Sequence, residues 1–334
     1  MAFMNFTDTR FQHAFNYDNI SLAPRVASTL MHRTEAKPSM QLGGVELRVP
    51  ILGSPMADVC GVEMCVALGQ LGAMGILHRF WSIDAEVTAL GEVLQAPGVE
   101  GRVGAAVGIT DNWRERFAAL HQHGCRIFCL DTANGAHEQV SEALHWIRNN
   151  ADDVFLITGN VATKEAFAWL QGAGADAIRV SIAGGGVCET KNETGVYVPT
   201  PYAVWEVAEA QNRAMIVGDG GVRLPADFCK LLALGADVVM LGSALAGTKE
   251  APGAVLKEGG NLYKIMRGSA SFSVQQSAGN VAPEYVEGDE TFVRYKGKVA
   301  DVIGRYLNGL RSSMSYMNAH NLTEYRNNCS FIIH

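Results

Sequence analysis

The sequence predicts an α/β fold, an eight-stranded (β/α)8 or TIM barrel, and two observations support this class. From residue 49 onward, short apolar runs alternate with amphipathic stretches, and eight such runs occur. Near-continuous apolar runs are typical of strands covered on both faces, and eight strands with helices between them make a (β/α)8 barrel. An open doubly wound sheet is the alternative. It usually has fewer strands and a GxGxxG turn after the first strand, whereas the first run here ends in Gly53-Ser54-Pro55-Met56.

The predicted elements follow each other in a regular order. The apolar runs lie at 49–56, 72–79, 101–108, 126–133, 154–160, 177–184, 215–221 and 238–247. Between them, apolar residues recur at helical spacing in 83–94, 113–123, 137–149 and 164–172. We expect one barrel domain over 1–334, with a long loop after the sixth strand, a flap at about 250–296 and a C-terminal helix at about 298–318.

Composition excludes several classes of protein. The 334 residues are 48% hydrophobic and 18% charged, and the net charge of −7 argues against a general nucleic-acid binder. The chain has no apolar stretch of membrane-spanning length and no signal-peptide core at its start, so we expect no membrane partner. Seven cysteines without a CxxC pair indicate neither a zinc ribbon nor a disulfide framework. A reducing cytoplasm is the expected location.

Polar residues gather where the predicted strands end, which is the catalytic face of such barrels. They are Asp58, His78, Asp131, Asn134, Asn160, the segment 183–196, Asp219 and Gly242-Ser243. This asymmetry along otherwise apolar strands is the first indication of a functional site.

Cys188 is the candidate nucleophile. It lies in the glycine-rich stretch Gly184–Thr190 after the sixth strand, where glycines allow a ligand to approach the backbone. The alternative is a cysteine that merely packs, as most do. We adopt that alternative for the other six cysteines, which lack a comparable polar loop: Cys60, Cys65, Cys125, Cys129, Cys229 and Cys329.

Two glycine turns predict a phosphate site. Asp219-Gly220-Gly221 ends the seventh strand and Gly242-Ser243 ends the eighth. Loops after strands seven and eight commonly bind phosphate in barrels through backbone N–H groups. A carboxylate beside that site is able to accept hydrogen bonds from ribose hydroxyls. A buried strand with a simple turn is the alternative for the second stretch, and both interpretations are compatible.

At these residues the chain resembles the IMP dehydrogenase / GMP reductase family, whose fold is a (β/α)8 barrel. The similar stretches run in order from about residue 15 to the C-terminus. They are Tyr17-Asp18-Asn19, GSPMADV (53–59), DTANG (131–135), GNVAT (159–163), GADAIRV (174–180), the Cys188 loop with TGV (194–196), DGGVR (219–223), GADVVMLGSALAGT (235–248), YKGKV (295–299) and GLRSSMSYM (309–317).

The resemblance implies a role for each matching residue. Cys188 would attack C2 of a purine nucleoside monophosphate, with Thr190 and Glu287 as the acid relay. The implied substrate-binding residues are Asp219, Gly220, Gly221, Gly242, Ser243, Arg267, Gly268, Ser269 and Ala270. The implied nicotinamide-binding residues are Asp131, Thr132, Ala133, Asn134 and His78. Backbone carbonyls of Ala183, Gly185 and Cys188 would form a K⁺ site. The family also implies a homotetramer.

Within the family, the sequence favours a reductase. IMP dehydrogenases typically carry CBS modules between early barrel elements, whereas Leu77-His78-Arg79-Phe80 runs directly into the next helix. The stretch 277–288 lacks the Arg-Tyr pair of the dehydrogenases and is similar to the reductase pattern, in which Glu287 matches the conserved acid. We therefore expect NADPH-dependent reduction of GMP to IMP and ammonia, with NADH not excluded. A CBS-less, NAD-dependent IMP dehydrogenase is the alternative. A flavin barrel and a catalytically silent nucleotide-binding relative are further alternatives.

Three departures from the family pattern leave the exact nucleotide open. Gly186 stands where a phosphate-contacting Ser is usual, Met266 where a phosphate-contacting Tyr is usual, and Ser269 where a base-contacting Met is usual. A deoxynucleotide or a modified purine is therefore an alternative substrate. As a hypothesis, Arg267 replaces the lost phosphate contact.

Overall fold

The computed structural model describes residues 13–186, 188–269, 271 and 288–334. Eight parallel strands close into a barrel, and each lies within or one residue beyond a predicted apolar run. The (β/α)8 prediction is confirmed. The first three strands, β1 (Ile20–Leu22), β2 (Met40–Leu42) and β3 (Val45–Leu47), precede the barrel. The barrel strands are β4 (Ile51–Gly53), β5 (Met74–Leu77), β6 (Val103–Val107), β7 (Ile127–Asp131), β8 (Phe155–Val161), β9 (Ala177–Val180), β10 (Met215–Asp219) and β11 (Val238–Leu241).

Helices alternate with the barrel strands. They are α1 (Val62–Leu71), α2 (Ile83–Gln95), α3 (Trp113–Gln122), α4 (Glu138–Asn150), α5 (Lys164–Gly172), α6 (Thr190–Thr194), α7 (Thr200–Ala208) and α8 (Pro225–Leu234), followed by Val299–Tyr316 and Leu322–Asn328. Side chains fix several starts, since Ser82 Oγ accepts the Ala85 N–H of α2 and Thr163 Oγ1 accepts the Ala166 N–H of α5. The short α6 forms inside the loop that the sequence predicts after the sixth strand.

Apolar side chains fill the barrel and leave one end for polar groups. Inward-facing residues such as Met74, Ile157 and Val217 pack with Leu42 and Leu47 of the β2–β3 hairpin. This hairpin therefore closes the end where the strands begin. The carboxyl ends of the strands remain for the polar residues that follow them.

The segment expected to be a polar, weakly periodic flap contains regular structure. It forms the strands β12 (Leu256–Glu258), β13 (Asn261–Arg267) and β14 (Glu290–Arg294), an antiparallel group that we call the outlying sheet. In β13, Lys264 and Met266 are buried while the intervening Ile265 is exposed. This period of two is a strand pattern that the expectation of a weakly periodic flap did not include. A last strand, β15 (Phe331–Ile333), pairs with β1.

Candidate active site

Cys188 and Thr190 lie together at the carboxyl end of β9. Their side chains are within hydrogen-bonding distance, with Cys188 Sγ 3.3 Å from Thr190 Oγ1. The Cys188 N–H donates to the Gly185 carbonyl over 3.2 Å, and Thr190 begins helix α6. The thiol is only partly buried. The loop thus presents a thiol and a hydroxyl side by side to an incoming ligand.

Glycines allow the Cys188 loop to pack on the turn after β10. A Cβ on Gly184 would lie 2.4 Å from Ser181 Oγ and 2.5 Å from Thr200 Oγ1, so this position has no room for a side chain. Gly221 has a φ of +76°, and a Cβ there would lie 2.8 Å from the Tyr17 ring. The Tyr17 hydroxyl in turn donates to the Gly220 carbonyl over 2.8 Å. The predicted nucleophile loop and the first predicted phosphate turn are therefore one packed unit.

A buried arginine joins two of the predicted site carboxylates. Arg179, on β9, is 7% exposed. Its Nη1 donates to Asp131 Oδ1 over 2.7 Å, and its Nη2 and Nε lie 2.9 and 3.0 Å from Asp219 Oδ2. Asn160 Nδ2 donates to the same Asp219 oxygen over 2.8 Å. The arrangement fixes the predicted ribose ligand and the predicted nicotinamide ligand relative to each other.

The sequence reasoning missed Arg179. The available signal was a single charged residue inside the apolar strand Ala177–Val180. Asp219 ends the adjacent strand β10, and Asp131 ends β7, which lies two strands away. A charge is rarely buried unless it is paired, so its position predicts a partner carboxylate.

The network keeps its members charged. Burial by itself would raise the pKa of Asp131, but the Arg179 and Arg79 guanidinium groups outweigh it and hold that pKa below its ordinary value. Burial opposes the charge on Arg179 as well, yet the Asp219 and Asp131 carboxylates raise its pKa further. The neighbouring Cys129 thiol is neutral, because burial raises its pKa to about 12.

The predicted nicotinamide residues lie at the ends of β5 and β7. Arg79 Nε is 3.5 Å from Asp131 Oδ2, which brings these two strand ends together. Thr132 Oγ1 donates to the Gly159 carbonyl over 2.6 Å, whereas Ala133 and Asn134 are exposed. A carboxylate and an exposed amide fit the carboxamide of a nicotinamide, which needs both acceptors and donors.

His78 lies behind this surface rather than on it. Its ring is 3% exposed, accepts the Phe80 N–H at Nδ1 over 3.2 Å, and packs 3.8 Å from the Trp81 ring. Burial lowers its pKa to about 4, so the imidazole is neutral at pH 7. Trp81 is partly exposed and covers the histidine.

In the second predicted phosphate turn, backbone carbonyl groups accept the hydrogen bonds that fix its conformation. After β11, the Leu245 and Ala246 N–H groups donate to the Gly242 carbonyl over 3.0 Å. Lys296 Nζ donates to the carbonyls of Ser243 at 2.5 Å and Ala244 at 3.1 Å. The Lys296 ammonium therefore fixes the conformation of this turn. From the sequence, Lys296 was identified only as part of the motif YKGKV (295–299).

The substrate-binding segment predicted after β13 is partly described. Arg267 donates to Asp58, and the Gly268 N–H donates to the Asp289 carbonyl over 2.9 Å. Ser269 follows in a turn. Ala270 and Glu287 lie outside the described residues.

The proposed carbonyl ligands of K⁺ belong to the Cys188 loop. Ala183 has a φ of +58°, and the Gly185 carbonyl accepts the Cys188 N–H. Within the described ranges, no group of three or more His, Cys, Asp or Glu side chains is arranged to hold a metal ion. The backbone K⁺ site stays a prediction.

Comparison with known proteins decides the family. The family model described as the IMP dehydrogenase / GMP reductase domain matches residues 14–334. The chain belongs to the IMP dehydrogenase / GMP reductase family. The resemblance seen in the motifs is therefore confirmed, and the family is one of oxidoreductases that use nicotinamide cofactors.

Relatives named for both reactions of the IMP dehydrogenase / GMP reductase family are similar to the chain. The inosine-5'-monophosphate dehydrogenase of Aquifex aeolicus is 40% identical over 244 residues, which cover 69% of this chain and 49% of that protein. The inosine-5'-monophosphate dehydrogenase of Borreliella burgdorferi is 30% identical, with 96% and 94% covered. The GMP reductase of Bacillus licheniformis is 31% identical, with 95% of each chain covered. The chain thus spans about half the length of some curated relatives and nearly all of others.

Names and coverages do not decide between the two reactions. The B. burgdorferi protein carries the dehydrogenase name, and its alignment with this chain extends over 380 residues, whereas this chain has 334. That dehydrogenase therefore contains segments that this chain lacks, and the argument from the missing insert after Phe80 stays a prediction. The choice has to come from the chemistry of the site.

A solved member of the family shares the fold. A GMP reductase from Trypanosoma brucei, in complex with guanosine 5'-monophosphate, superposes with a TM-score of 0.91 at 24% identity, covering 97% of this chain and 96% of that one. In the part of the chain that the structure describes, none of the helices is both long enough and apolar enough to cross a membrane.

Proposed function

We propose that the protein is a GMP reductase, which converts GMP and NADPH to IMP, ammonia and NADP⁺. The observation that carries this proposal is the pairing of Cys188 Sγ with Thr190 Oγ1 at 3.3 Å, on a loop packed against the turn that holds Asp219. A thiol and a hydroxyl side by side suit an attack at one ring carbon followed by departure of its amine.

The nucleotide would lie across two turns. Its phosphate would accept backbone N–H groups from the turns at Gly220-Gly221 and Gly242-Ser243. Its ribose hydroxyls would donate to Asp219, whose orientation is fixed by Arg179 and Asn160. These contacts would bring C2 of the purine to the Cys188 loop.

The covalent step uses the residues of that loop. The Cys188 thiolate adds to C2, an S–C bond forms, and the ring nitrogen takes up the electron pair. Thr190, whose Oγ1 is 3.3 Å from the sulfur, would pass a proton to the exocyclic amine. The C2–N bond then breaks and ammonia leaves. Glu287 is the proposed source of that proton. Once C2 has been reduced, the S–C2 bond breaks and returns the thiolate together with IMP.

The strand ends of β5 and β7 fit a nicotinamide cofactor, because Asp131 is fixed as a carboxylate and Asn134 exposes its amide. When bound, the reduced cofactor supplies the hydride that C2 accepts. Arg79, which approaches Asp131, would keep that carboxylate oriented toward the carboxamide. The fit concerns nicotinamide chemistry in general, and NADPH rather than NADH is part of the proposal.

The test follows absorbance of NADPH at 340 nm with GMP, dGMP and IMP in turn. We expect oxidation of NADPH with GMP and none with IMP. Cys188→Ala should abolish turnover while binding of the nucleotide persists. Cys329→Ala is the matched control, because Cys329 is the other partly buried thiol among the described residues and should leave the rate unchanged. Turnover that survives in Cys188→Ala would contradict the covalent mechanism.

The dehydrogenase is the second candidate, and the 40% identity to the A. aeolicus enzyme favours it. In that reaction IMP, NAD⁺ and water give XMP and NADH, with the same cysteine attacking C2. Reduction of NAD⁺ in the presence of IMP, without oxidation of NADPH by GMP, would establish it in place of the reductase.

A further inference from the structure

A partly buried ion pair connects the outlying sheet to the carboxyl end of the barrel. Arg267 ends β13, and Asp58, which is 5% exposed, follows β4. Asp58 Oδ2 accepts the Arg267 N–H at 2.9 Å and Nε at 2.8 Å, while Oδ1 accepts Nη2 at 2.6 Å. A guanidinium that meets both oxygens of a carboxylate fixes direction as well as distance.

Arg267 supplies the positive charge that Asp58 needs. His78 also lies near this carboxylate, but its imidazole is neutral at pH 7, because burial lowers the pKa to about 4. On the other side, Glu290 is the cross-strand partner of Arg267 and adds a second carboxylate near the guanidinium. The arginine is therefore surrounded by acidic groups of the protein.

The same strand leads directly to the nucleophile. The Gly268 N–H donates to the Asp289 carbonyl, and the neighbouring Gly288 forms a β-bridge with Cys188. From the Asp58 carboxylate to the thiol loop, the connection consists of one ion pair, one backbone hydrogen bond and one bridge.

Other contacts of the outlying sheet differ in kind from this ion pair. Its exposed apolar side chains, Leu262, Ile265 and Phe292, are 43%, 42% and 60% accessible and cannot hold it to the barrel. Lys264 and Met266 are buried, and Lys264 Nζ donates to the carbonyls of Lys249 and Ala251. Lys264 and Met266 both precede Arg267, the last residue of β13.

We propose that Asp58 and Arg267 form a positioning pair, which holds the outlying sheet against the Cys188 loop and so sets the placement of the thiol and of the nucleotide-recognition segment Gly268-Ser269. The inference rests on the proposed role of Cys188. It is an alternative to the hypothesis that Arg267 binds phosphate, because the Arg267 backbone N–H, Nε and Nη2 are directed at Asp58.

The first experiment measures alkylation of Cys188 by iodoacetamide in the ligand-free protein, followed by mass spectrometry, with Cys329 as the internal reference. The variants are Asp58→Asn, Arg267→Ala, Arg267→Lys and the double variant. We expect Arg267→Ala and Asp58→Asn to change the Cys188 rate by about threefold or more, because loss of the anchor raises local opening. Arg267→Lys should recover part of the effect, and the double variant should match the single ones. Arg126→Ala, which breaks an exposed pair with Asp153 before β7, should change nothing.

The second experiment compares the affinities of GMP and guanosine. A positioning pair predicts that Asp58→Asn and Arg267→Ala weaken both ligands by a similar factor. A phosphate contact predicts that Arg267→Ala erases the advantage of GMP over guanosine while Asp58→Asn does not. That second pattern, or unchanged alkylation of Cys188 in both folded single variants, overturns the proposal. The alkylation experiment needs no substrate. A protein that fails to reduce GMP would therefore contradict the proposed function, while the alkylation rates would still test the role of the Asp58–Arg267 pair.

Discussion

The barrel and the outlying sheet bury their side chains to very different degrees. Every residue of β4, β5 and β6 is buried, whereas all of β12 and four of the five residues of β14 are exposed. The barrel strands lie between an apolar interior and a layer of helices, which covers both faces. The sheet buries Lys264 and Met266 on one face of β13, while most of its other residues are exposed.

The candidate chemistry lies where these two regions meet. The barrel holds Asp219, Arg179 and Asp131 by buried ion pairs, while the sheet meets the site through Gly288 at Cys188 and through Arg267 at Asp58. A substitution within the barrel should therefore lower the stability of the whole protein. A substitution in the sheet should leave stability nearly unchanged and affect activity only where it touches an anchor.

The largest effect is expected for Arg179→Met. The substitution leaves Asp219 without its guanidinium partner and Asp131 with Arg79 alone, and breaking a buried pair in this way costs about 3–5 kcal/mol. The urea midpoint at pH 7 measures the loss. Arg126→Ala is the control, since its pair with Asp153 is about half exposed and should contribute no more than about 1 kcal/mol. Equal midpoints for the two variants would contradict the idea that the barrel depends on this network.

The next effect concerns pH and His78. Its pKa in the folded protein is about 4, below the ordinary value of 6.5, because burial disfavours the charged ring. The unfolded chain therefore binds a proton first as the pH falls below 6.5, and the stability from the neutral ring is lost between pH 6.5 and 4.

His78→Asn isolates this contribution, because asparagine offers a similar acceptor and does not titrate. Between pH 7 and pH 4.5, the wild type should lose about 2 kcal/mol more of its free energy of unfolding than the variant. Urea unfolding at both pH values measures the difference. Burial raises the pKa of Glu86 to about 7, so this carboxyl group stabilises the folded protein as the pH falls, which is opposite to the effect of His78. Glu86 is present in the wild type and in the variant, so subtracting one pH dependence from the other removes its contribution. Parallel pH profiles would show that His78 is protonated in the folded state.

A smaller effect separates two glycines of the same loop. In Gly184→Ala the new methyl group would meet Ser181 Oγ and Thr200 Oγ1, so we expect a cost of about 1–2 kcal/mol and a reduced rate. In Gly186→Ala nothing lies within 4 Å of the new atom, and stability should remain within about 0.5 kcal/mol. Thermal unfolding measures the stability of the two variants, and turnover measures their activity. A Gly184→Ala protein as stable and active as Gly186→Ala would mean that the loop packs loosely on the turn after β10.

Local patterns were sufficient to predict the barrel. The predicted helices at 83–94 and 164–172 agree with Ile83–Gln95 and Lys164–Gly172 to within one residue, because a capping side chain precedes each and the apolar period is 3.6. The catalytic end was predictable for the same reason, since a polar residue after an apolar run marks the carboxyl end of a strand. The pairing of Cys188 with Thr190 is also local, because only Glu189 separates them.

Contacts between distant residues could not be predicted in this way. Asp58 and Arg267 are 209 positions apart, and each taken alone resembles an ordinary strand-end charge. Arg179 required knowledge of which strands are neighbours before its two carboxylates could be named. In the outlying sheet, two short strands and one alternating strand give a weak signal, and β13, which ends at Arg267, pairs with β14, which begins only at Glu290.

The smallest effect should come from the exposed face of the outlying sheet. Phe292 is 60% exposed and stands opposite Ile265, which is 42% exposed, so Phe292→Ala removes a cross-strand contact worth at most about 1 kcal/mol. Phe128, fully buried in the barrel, gives the reference, because Phe128→Ala should cost about 3–5 kcal/mol. Urea midpoints provide the comparison, and turnover of Phe292→Ala should equal that of the wild type. A Phe292→Ala protein that loses activity without losing stability would show that the sheet positions Cys188 through its whole surface, and not through the Asp58–Arg267 pair alone.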